Sequence, residues 1–225
     1  MAGSSDDGGS LYERWADDYF GRYESVRFEE VHRAWLDLLP TEPGRALDVG
    51  AGSGRDAAAL ADRGWTVDAV EPSKALRERA MGAHPHPKIQ WGSDRLPGLE
   101  GVASTDARFD LILVSAVWMH LDPEARADAM ARLRGLLCDG GRLVITAKLI
   151  AEGEPAASFP GSERGQRPVR RAEIEATGAA CGLIVLRPVE GADLYAREVR
   201  WLTVALTPAA PRPGGRSGTP PGDSR

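Results

Sequence analysis

"ALDVGAGSGRDAAALADRG", residues 46–64, is the stretch whose reading decides the fold. Ala46, Leu47 and Val49 surround a single acid, Asp48, and predict a short buried strand. Glycines then fall at every second position, Gly50, Gly52 and Gly54, and an alanine-rich run follows, closed by Gly64. Glycine allows tight turns and lets a ligand meet the backbone without a Cβ in the way. A strand, a glycine loop and a helix in that order open a doubly wound α/β sheet. Such sheets bind ligands beyond the carboxyl ends of their strands.

Outward from this stretch the alternation continues. Further strands are predicted in "TVDAVEP" (66–72), "KIQWG" (88–92), "FDLILVSAV" (109–117), "RLVITAKLI" (142–150), "LIVLRPV" (183–189) and "REVRWLTVAL" (197–206). Helices are predicted over 53–63, 73–82, 123–137 and 170–182. Ahead of the sheet, "SLYERWADDYFGRY" (10–23) and "FEEVHRAWLDLLP" (28–40) carry apolar residues at helical spacing. Residues 151–168 read as a loop. The domain reading is a disordered leader over 1–8, one domain over 9–207, and a disordered Pro/Gly/Arg-rich tail over 208–225.

Composition narrows the class. With 225 residues and 42% hydrophobic content, the chain suffices for one domain with a substantial core. A net charge of -5 argues against nucleic acid as a partner. The polar, acidic start is no signal peptide, and no apolar run approaches about 20 residues, so a cytoplasmic protein with no membrane span is expected. The two cysteines, Cys138 and Cys181, have no metal or redox spacing. "HPHP" at 84–87 reads as a loop, and no metal site is expected.

The acids near the glycines give the loop its chemistry. A dinucleotide fold would want G-x-G-x-x-G, but Arg55 stands at the third glycine position, which disfavours a nicotinamide dehydrogenase. No phosphate loop of the G-x-x-x-x-G-K type is present. Asp48 inside the approach suits a cation better than a pyrophosphate. Glu71 ends the second strand 17 residues after Gly54, where a carboxylate can accept from both hydroxyls of a ribose. Asp94 follows the third strand, where it can accept from an amino group on adenine. The three acids together describe an adenosine carrying extra positive charge.

"LDVGAGSG", "VEPS", "GSDRLP", "FDLILVSAVWMHL" and "LCDGGRLVITAK" resemble the ordered motifs of class I S-adenosylmethionine-dependent methyltransferases, over about residues 10–206. The resemblance implies a Rossmann-like seven-stranded sheet, mostly parallel with an antiparallel last strand, and an N-terminal helical lid. It implies S-adenosyl-L-methionine as cofactor. It puts Asp48 near the methionine amino group, Gly50 and Gly52 against the methionyl and ribose parts, Glu71 on the ribose, and Asp94 and Arg95 on the adenine. Ser115 and Ala116 would border the sulfonium. Tyr19, Ala51, Gly54, Arg55, Asp56 and Pro72 complete the implied cofactor set.

For the acceptor, His120 in "SAVWMHL" is the candidate general base, at the substrate side of the fourth strand. Trp118 is a candidate pocket wall. Tyr12, Trp15 and Tyr23, with Tyr19, form an aromatic cluster fit to pack over a sulfonium and to line the acceptor site. Family members that methylate amide or base nitrogens often carry [Asn/Asp]-Pro-Pro-[Phe/Tyr] where this chain has Ser115-Ala116-Val117-Trp118. The resulting expectation is methyl transfer by in-line displacement to an O, N or S atom of a small molecule. The alternatives are an RNA or protein methyltransferase, or a cofactor-binding regulator without turnover.

Overall fold

The computed structural model describes residues 12–150, 155, 159, 165–195 and 197–210. The expected leader (1–8) and all but the first residues of the expected tail (208–225) lie outside the described residues. Seven strands form one sheet: β1 (Arg45–Val49), β2 (Thr66–Val70), β3 (Ile89–Gly92), β4 (Phe109–Ser115), β5 (Leu137–Leu149), β6 (Leu183–Ala192) and β7 (Arg200–Pro208). Their spatial order is β3-β2-β1-β4-β5-β7-β6. The first five pair in parallel, and β7 runs antiparallel to both β5 and β6. This is the Rossmann-like sheet with an antiparallel last strand.

Period-two alternation sends neighbouring side chains to opposite faces, and each face has its own core. Leu47, Val49, Ile112 and Val114 pack with Leu133 and Ile174, from helices α6 (Arg126–Leu136) and α7 (Arg171–Ala180). Ala46, Leu111 and Leu113 pack on the other face with Ala57 and Leu60 of α3 (Arg55–Asp62), and with Phe28 and Trp35. Helix α4 (Lys74–Ala83) follows β2, and its N-cap Ser73 accepts from the Leu76 amide.

The N-terminal segment differs from its prediction. Helix α1 spans Ala16–Glu24, so Trp15 lies just before it and is 51% exposed. Helix α2 covers only Phe28–His32, and a separate 3-10 turn follows at Leu36–Leu38. The break has a cause in hydrogen bonding. Trp35 leaves helical geometry (φ -144°), and its indole N–H donates to Nδ1 of His32 at 3.1 Å, with both rings buried. Strand β5 begins earlier than expected, at Leu137, because the "DGG" turn is drawn into the sheet beside Phe109.

Candidate active site

The loop after β1 turns on three glycines, Gly50 (φ +69°), Gly52 (+58°) and Gly54 (+84°), all in the left-handed region that L-residues avoid. Protein atoms face two of them closely. A Cβ on Gly50 would collide with Val117, and one on Gly54 would lie 2.9 Å from Trp91. A Cβ on Gly52 would meet the ring of Tyr23 at 3.3 Å. The glycines are therefore required by backbone conformation.

The acids sit around this loop. Asp48 is buried, and its Oδ2 has no hydrogen-bond partner. Burial, then the neighbouring charge of Asp56, pushes its carboxyl well above the usual range. Glu71 accepts from the Gly52 amide at 3.0 Å and from the Ser73 amide at 2.9 Å, one on each oxygen. Burial raises its carboxyl despite those two bonds. Asp56 accepts from Nε2 of His32 and from Nε of Arg55, both at 2.7 Å. Burial opposes its ionisation, but His32 and Arg55 outweigh that and hold the carboxyl below its ordinary value. Since Trp35 donates to Nδ1 of His32, Nε2 is the ring atom that carries the proton toward Asp56.

Asp94 is held by backbone amides in this structure. Its two oxygens accept from the amides of Arg95 (2.9 Å) and Val102 (3.0 Å), which ties down the short helix α5 (Glu100–Ala103). The Arg95 amide expected to read adenine is thus already bonded to its neighbour's carboxylate.

The N-terminal segment lies across the carboxyl ends of the strands. Glu13 accepts from the Ser73 hydroxyl (2.8 Å) and the Ala75 amide (3.2 Å) at the start of α4. Arg55 donates to the Tyr23 carbonyl at 3.0 Å, and the Tyr195 hydroxyl donates to the Arg22 carbonyl at 2.8 Å. Between these ties Tyr12, Tyr19 and Tyr23 stack in series, with ring centroids 4.5 and 5.9 Å apart. Burial, then the phenol of Tyr12, pushes the Tyr23 hydroxyl well above its usual range.

Beneath this lid is a cavity of about 250 Å³. Tyr12, Tyr19, Tyr23, Arg55, Ser115, Ala116 and His120, all named as candidates from the sequence, line it. Ala116 takes a positive φ of 60°, which is strained for a residue with a Cβ. Two expected lining residues are absent. Trp15 faces solvent because it precedes α1. Trp118 is fully buried in the core, because the 3-10 turn Trp118–His120 directs the indole inward while His120 reaches the cavity. Asp48, Gly50, Ala51, Gly52, Gly54, Asp56, Glu71, Pro72, Asp94 and Arg95 do not border this cavity.

Sequence reasoning missed Lys148, Gln166 and Trp201, which also line it. Lys148 and Thr146 lie on one face of β5, paired in register with Trp201 and Thr203 of β7. The signal was a period-two polar pair, Thr146 and Lys148, inside an apolar strand. Among the described residues no group of His, Cys, Asp and Glu is arranged to hold a metal, and no helix is long and apolar enough to cross a membrane.

Residues 47–145 match a family described as a methyltransferase domain. An uncharacterized methyltransferase of Staphylococcus carnosus is 29% identical over 142 residues, 60% of this chain and 65% of that protein. One of Mycobacterium bovis is 32% identical over 123 residues, 55% of this chain and 47% of its own length. The chain thus spans less than two thirds of the length of these relatives. Among solved structures, the 1,6-didemethyltoxoflavin-N1-methyltransferase of Burkholderia thailandensis, with S-adenosylhomocysteine bound, superposes with a TM-score of 0.67 at 21% identity, covering 93% of this chain and 92% of that one. The phosphoethanolamine N-methyltransferase 2 of Haemonchus contortus gives 0.70 at 14% identity, covering 93% and 61%. The chain thus has the Rossmann-like fold of these methyltransferases, and its residues 47–145 match the methyltransferase-domain family.

Proposed function

We propose that the protein is an S-adenosylmethionine-dependent methyltransferase that acts on a small molecule. The observation that carries this reading is the orphaned, buried Oδ2 of Asp48 beside Glu71 at the glycine loop, under a lid that also roofs a cavity. Asp48, Asp56 and Glu71 against Arg55 leave the cradle net negative. That suits a ligand with an ammonium and a sulfonium, and poorly suits a pyrophosphate. Asp48 would accept from the amino group. Glu71 would take the ribose hydroxyls on the lone pairs its two amide bonds leave free. Tyr19 and Tyr23 present ring faces of the kind that attract a cation.

When bound, the cofactor supplies a methyl group activated on a sulfonium. The chain's own part is alignment, exclusion of water and proton transfer. Alignment alone contributes roughly 7–11 kcal/mol in favourable systems. The lid ties at Glu13, Arg55 and Tyr195 hold the tyrosines over the site and exclude water. His120 faces the cavity as the group that takes the acceptor's proton. A cavity of about 250 Å³ favours a small molecule over an RNA or protein acceptor.

The test is calorimetric titration with S-adenosylhomocysteine, paired with thermal unfolding, since a ligand of the folded state raises the melting temperature. Binding should be accompanied by S-adenosylhomocysteine release from S-adenosylmethionine when a panel of small acceptors is screened. No binding at concentrations well above micromolar removes the proposal.

A further inference from the structure

Arg22, Arg55 and Arg197 all line the cavity, and they gather around Tyr195 in the loop between β6 and β7. The Tyr195 hydroxyl donates to the Arg22 carbonyl at 2.8 Å. Cζ of Arg197 lies 5.2 Å from the Tyr195 ring centroid. The phenol is also within electrostatic reach of the Arg55 guanidinium. Each arginine is held by groups that leave some of its N–H bonds unspent. Nε of Arg55 donates to Asp56 at 2.7 Å, and its Nη1 donates to the Tyr23 carbonyl at 3.0 Å. Arg197 places Nε and Nη2 on the two oxygens of Asp193, both at 2.7 Å. Asp193 is itself fixed by the Trp201 indole at 2.8 Å. Arg22 lies over the Tyr19 ring, with Cζ 5.7 Å from its centroid. A guanidinium has five N–H donors. Among the described residues, Nη2 of Arg55, Nη1 of Arg197 and the whole Arg22 guanidinium have no acceptor. Of the acids that line the cavity, Asp193 is spent on Arg197 and Glu190 on Arg200, which leaves Glu30 against Arg22 and Arg33.

We propose that Arg22, Arg55 and Arg197 form a carboxylate-binding site in the wall of the cavity. Guanidinium groups match the planar carboxylate through charge-assisted hydrogen bonds. Asp56 and Asp193 hold two of them in place, so little side-chain freedom is lost when an anion arrives. The cluster is a property of the chain alone. Two sources of carboxylate fit it. One is the methionyl carboxylate of the cofactor, and this source rests on the methyltransferase reading. In the cradle Asp48, Asp56 and Glu71 repel that group, and Arg55 is the cation that both follows the glycine loop and lines the cavity. The other source is a carboxylate on the acceptor itself, which Arg22 meets from the exposed side of the lid. Arginines that served only to tie down the lid would show no preference for an anion.

Calorimetry of the full chain with two matched pairs tests the site. S-adenosylhomocysteine is compared with its decarboxylated analogue, which keeps the amine and the adenosine. With S-adenosylhomocysteine bound, 4-hydroxybenzoate is compared with 4-hydroxybenzamide. In at least one pair the acid should bind at least about tenfold tighter, and the preference should shrink with added salt. A preference in the first pair puts the cofactor's carboxylate on the arginines, and one in the second pair puts an acceptor's carboxylate there. Arg55→Gln and Arg22→Gln should each reduce that preference at least about threefold, while the member without a carboxylate stays within about twofold of its affinity for the wild type. A purely structural role would weaken both members alike. Where Arg55→Gln does not fold, Arg22→Gln decides, because the Arg22 side chain is exposed. No preference in either pair overturns the proposal, and so does a preference that the folded variants leave intact. S-adenosylhomocysteine that does not bind at all strikes the methyltransferase reading instead. The benzoate and benzamide pair titrated into the free protein then decides the site, so the two failures are distinguishable.

Discussion

Replacing Asp48 by Asn should move stability and cofactor affinity in opposite directions. Asp48 is 1% exposed, and its Oδ2 has no partner. The Ala57 amide donates a hydrogen bond to this carboxyl, while Asp56 and Glu71 repel its charge and Arg55 attracts it. A buried atom without a partner costs about 1–3 kcal/mol and more when it is charged, so Asn relieves only the excess due to charge, part of which Arg55 already offsets. Removing the charge should therefore stabilise the free protein by about 1–2 kcal/mol. For a chain of this length that is a rise in melting temperature of roughly 2–8 °C. The pH dependence carries its own sign. A carboxyl whose folded pKa is raised penalises the native state at every pH above that value. The penalty fades as pH falls through it and is gone below the unfolded pKa of about 3.9. The gain in Asp48→Asn should thus be full above the raised folded value, shrink as pH falls through it and vanish in acid. Affinity should fall, because the amino group of the ligand loses an ionised acceptor worth about 1.5–3 kcal/mol, roughly 10- to 150-fold in Kd. Thermal unfolding across pH and calorimetry with S-adenosylhomocysteine measure both. A variant that is less stable yet binds unchanged would refute the reasoning, because Asp48 would then be a structural acid with no ligand to meet.

Glu71→Ala should weaken S-adenosylhomocysteine by about 1.5–3 kcal/mol in the same calorimetric assay, with unaltered affinity showing that the ribose is held elsewhere. Gly52→Val should cost roughly 1–3 kcal/mol of stability from its positive φ alone, and it should lose binding as well, since its side chain would press on Tyr23 at 3.3 Å; denaturant titration and calorimetry read the two effects. His32→Ala should be the most damaging to the fold, by about 3–5 kcal/mol in denaturant midpoint terms, because it leaves the buried carboxylate of Asp56 short of a donor and opens a gap beside Trp35.

The sheet was legible because its signals are local. Strands β1, β2 and β3 are short runs closed by Gly50, Glu71 and Gly92, and β1 begins and ends at the residues its sequence suggests. The acids at strand ends were legible for the same reason, since a residue that follows a parallel strand must emerge at the carboxyl edge. The lid was harder. Helical spacing put Leu11, Trp15 and Tyr19 on one stripe, which holds only if the helix is continuous. It turns at Trp15, so Tyr12 and Tyr19 face the cavity while the indole between them faces water. Likewise, four-residue spacing carried the second helix past Trp35, and nothing local shows that an indole will leave the helix to bond a histidine three residues back.

The least legible part is the set of groups around His120. Position after β4 suffices to nominate His120, but the groups beside it, Gln166, 46 residues away, and Lys148, which Gln166 faces, come from other segments. Neither is unusual in its own segment. Lys148 sits in the apolar run of β5 and Gln166 in a stretch of glycines and arginines. They meet because β5 and β7 pair antiparallel, bringing Lys148 opposite Trp201 at the cavity wall, while the backbone amide of Arg167 bonds the Met119 carbonyl at 2.7 Å and pins Gln166 next to His120. That backbone bond ties the loop to the 3-10 turn that carries His120. The acceptor side is thus specified by the packing of one strand and one loop on a turn, a tertiary fact. The cofactor side is specified by residues that neighbour each other in sequence or lie one βα unit apart. A single-sequence reading therefore reaches the cofactor before the acceptor.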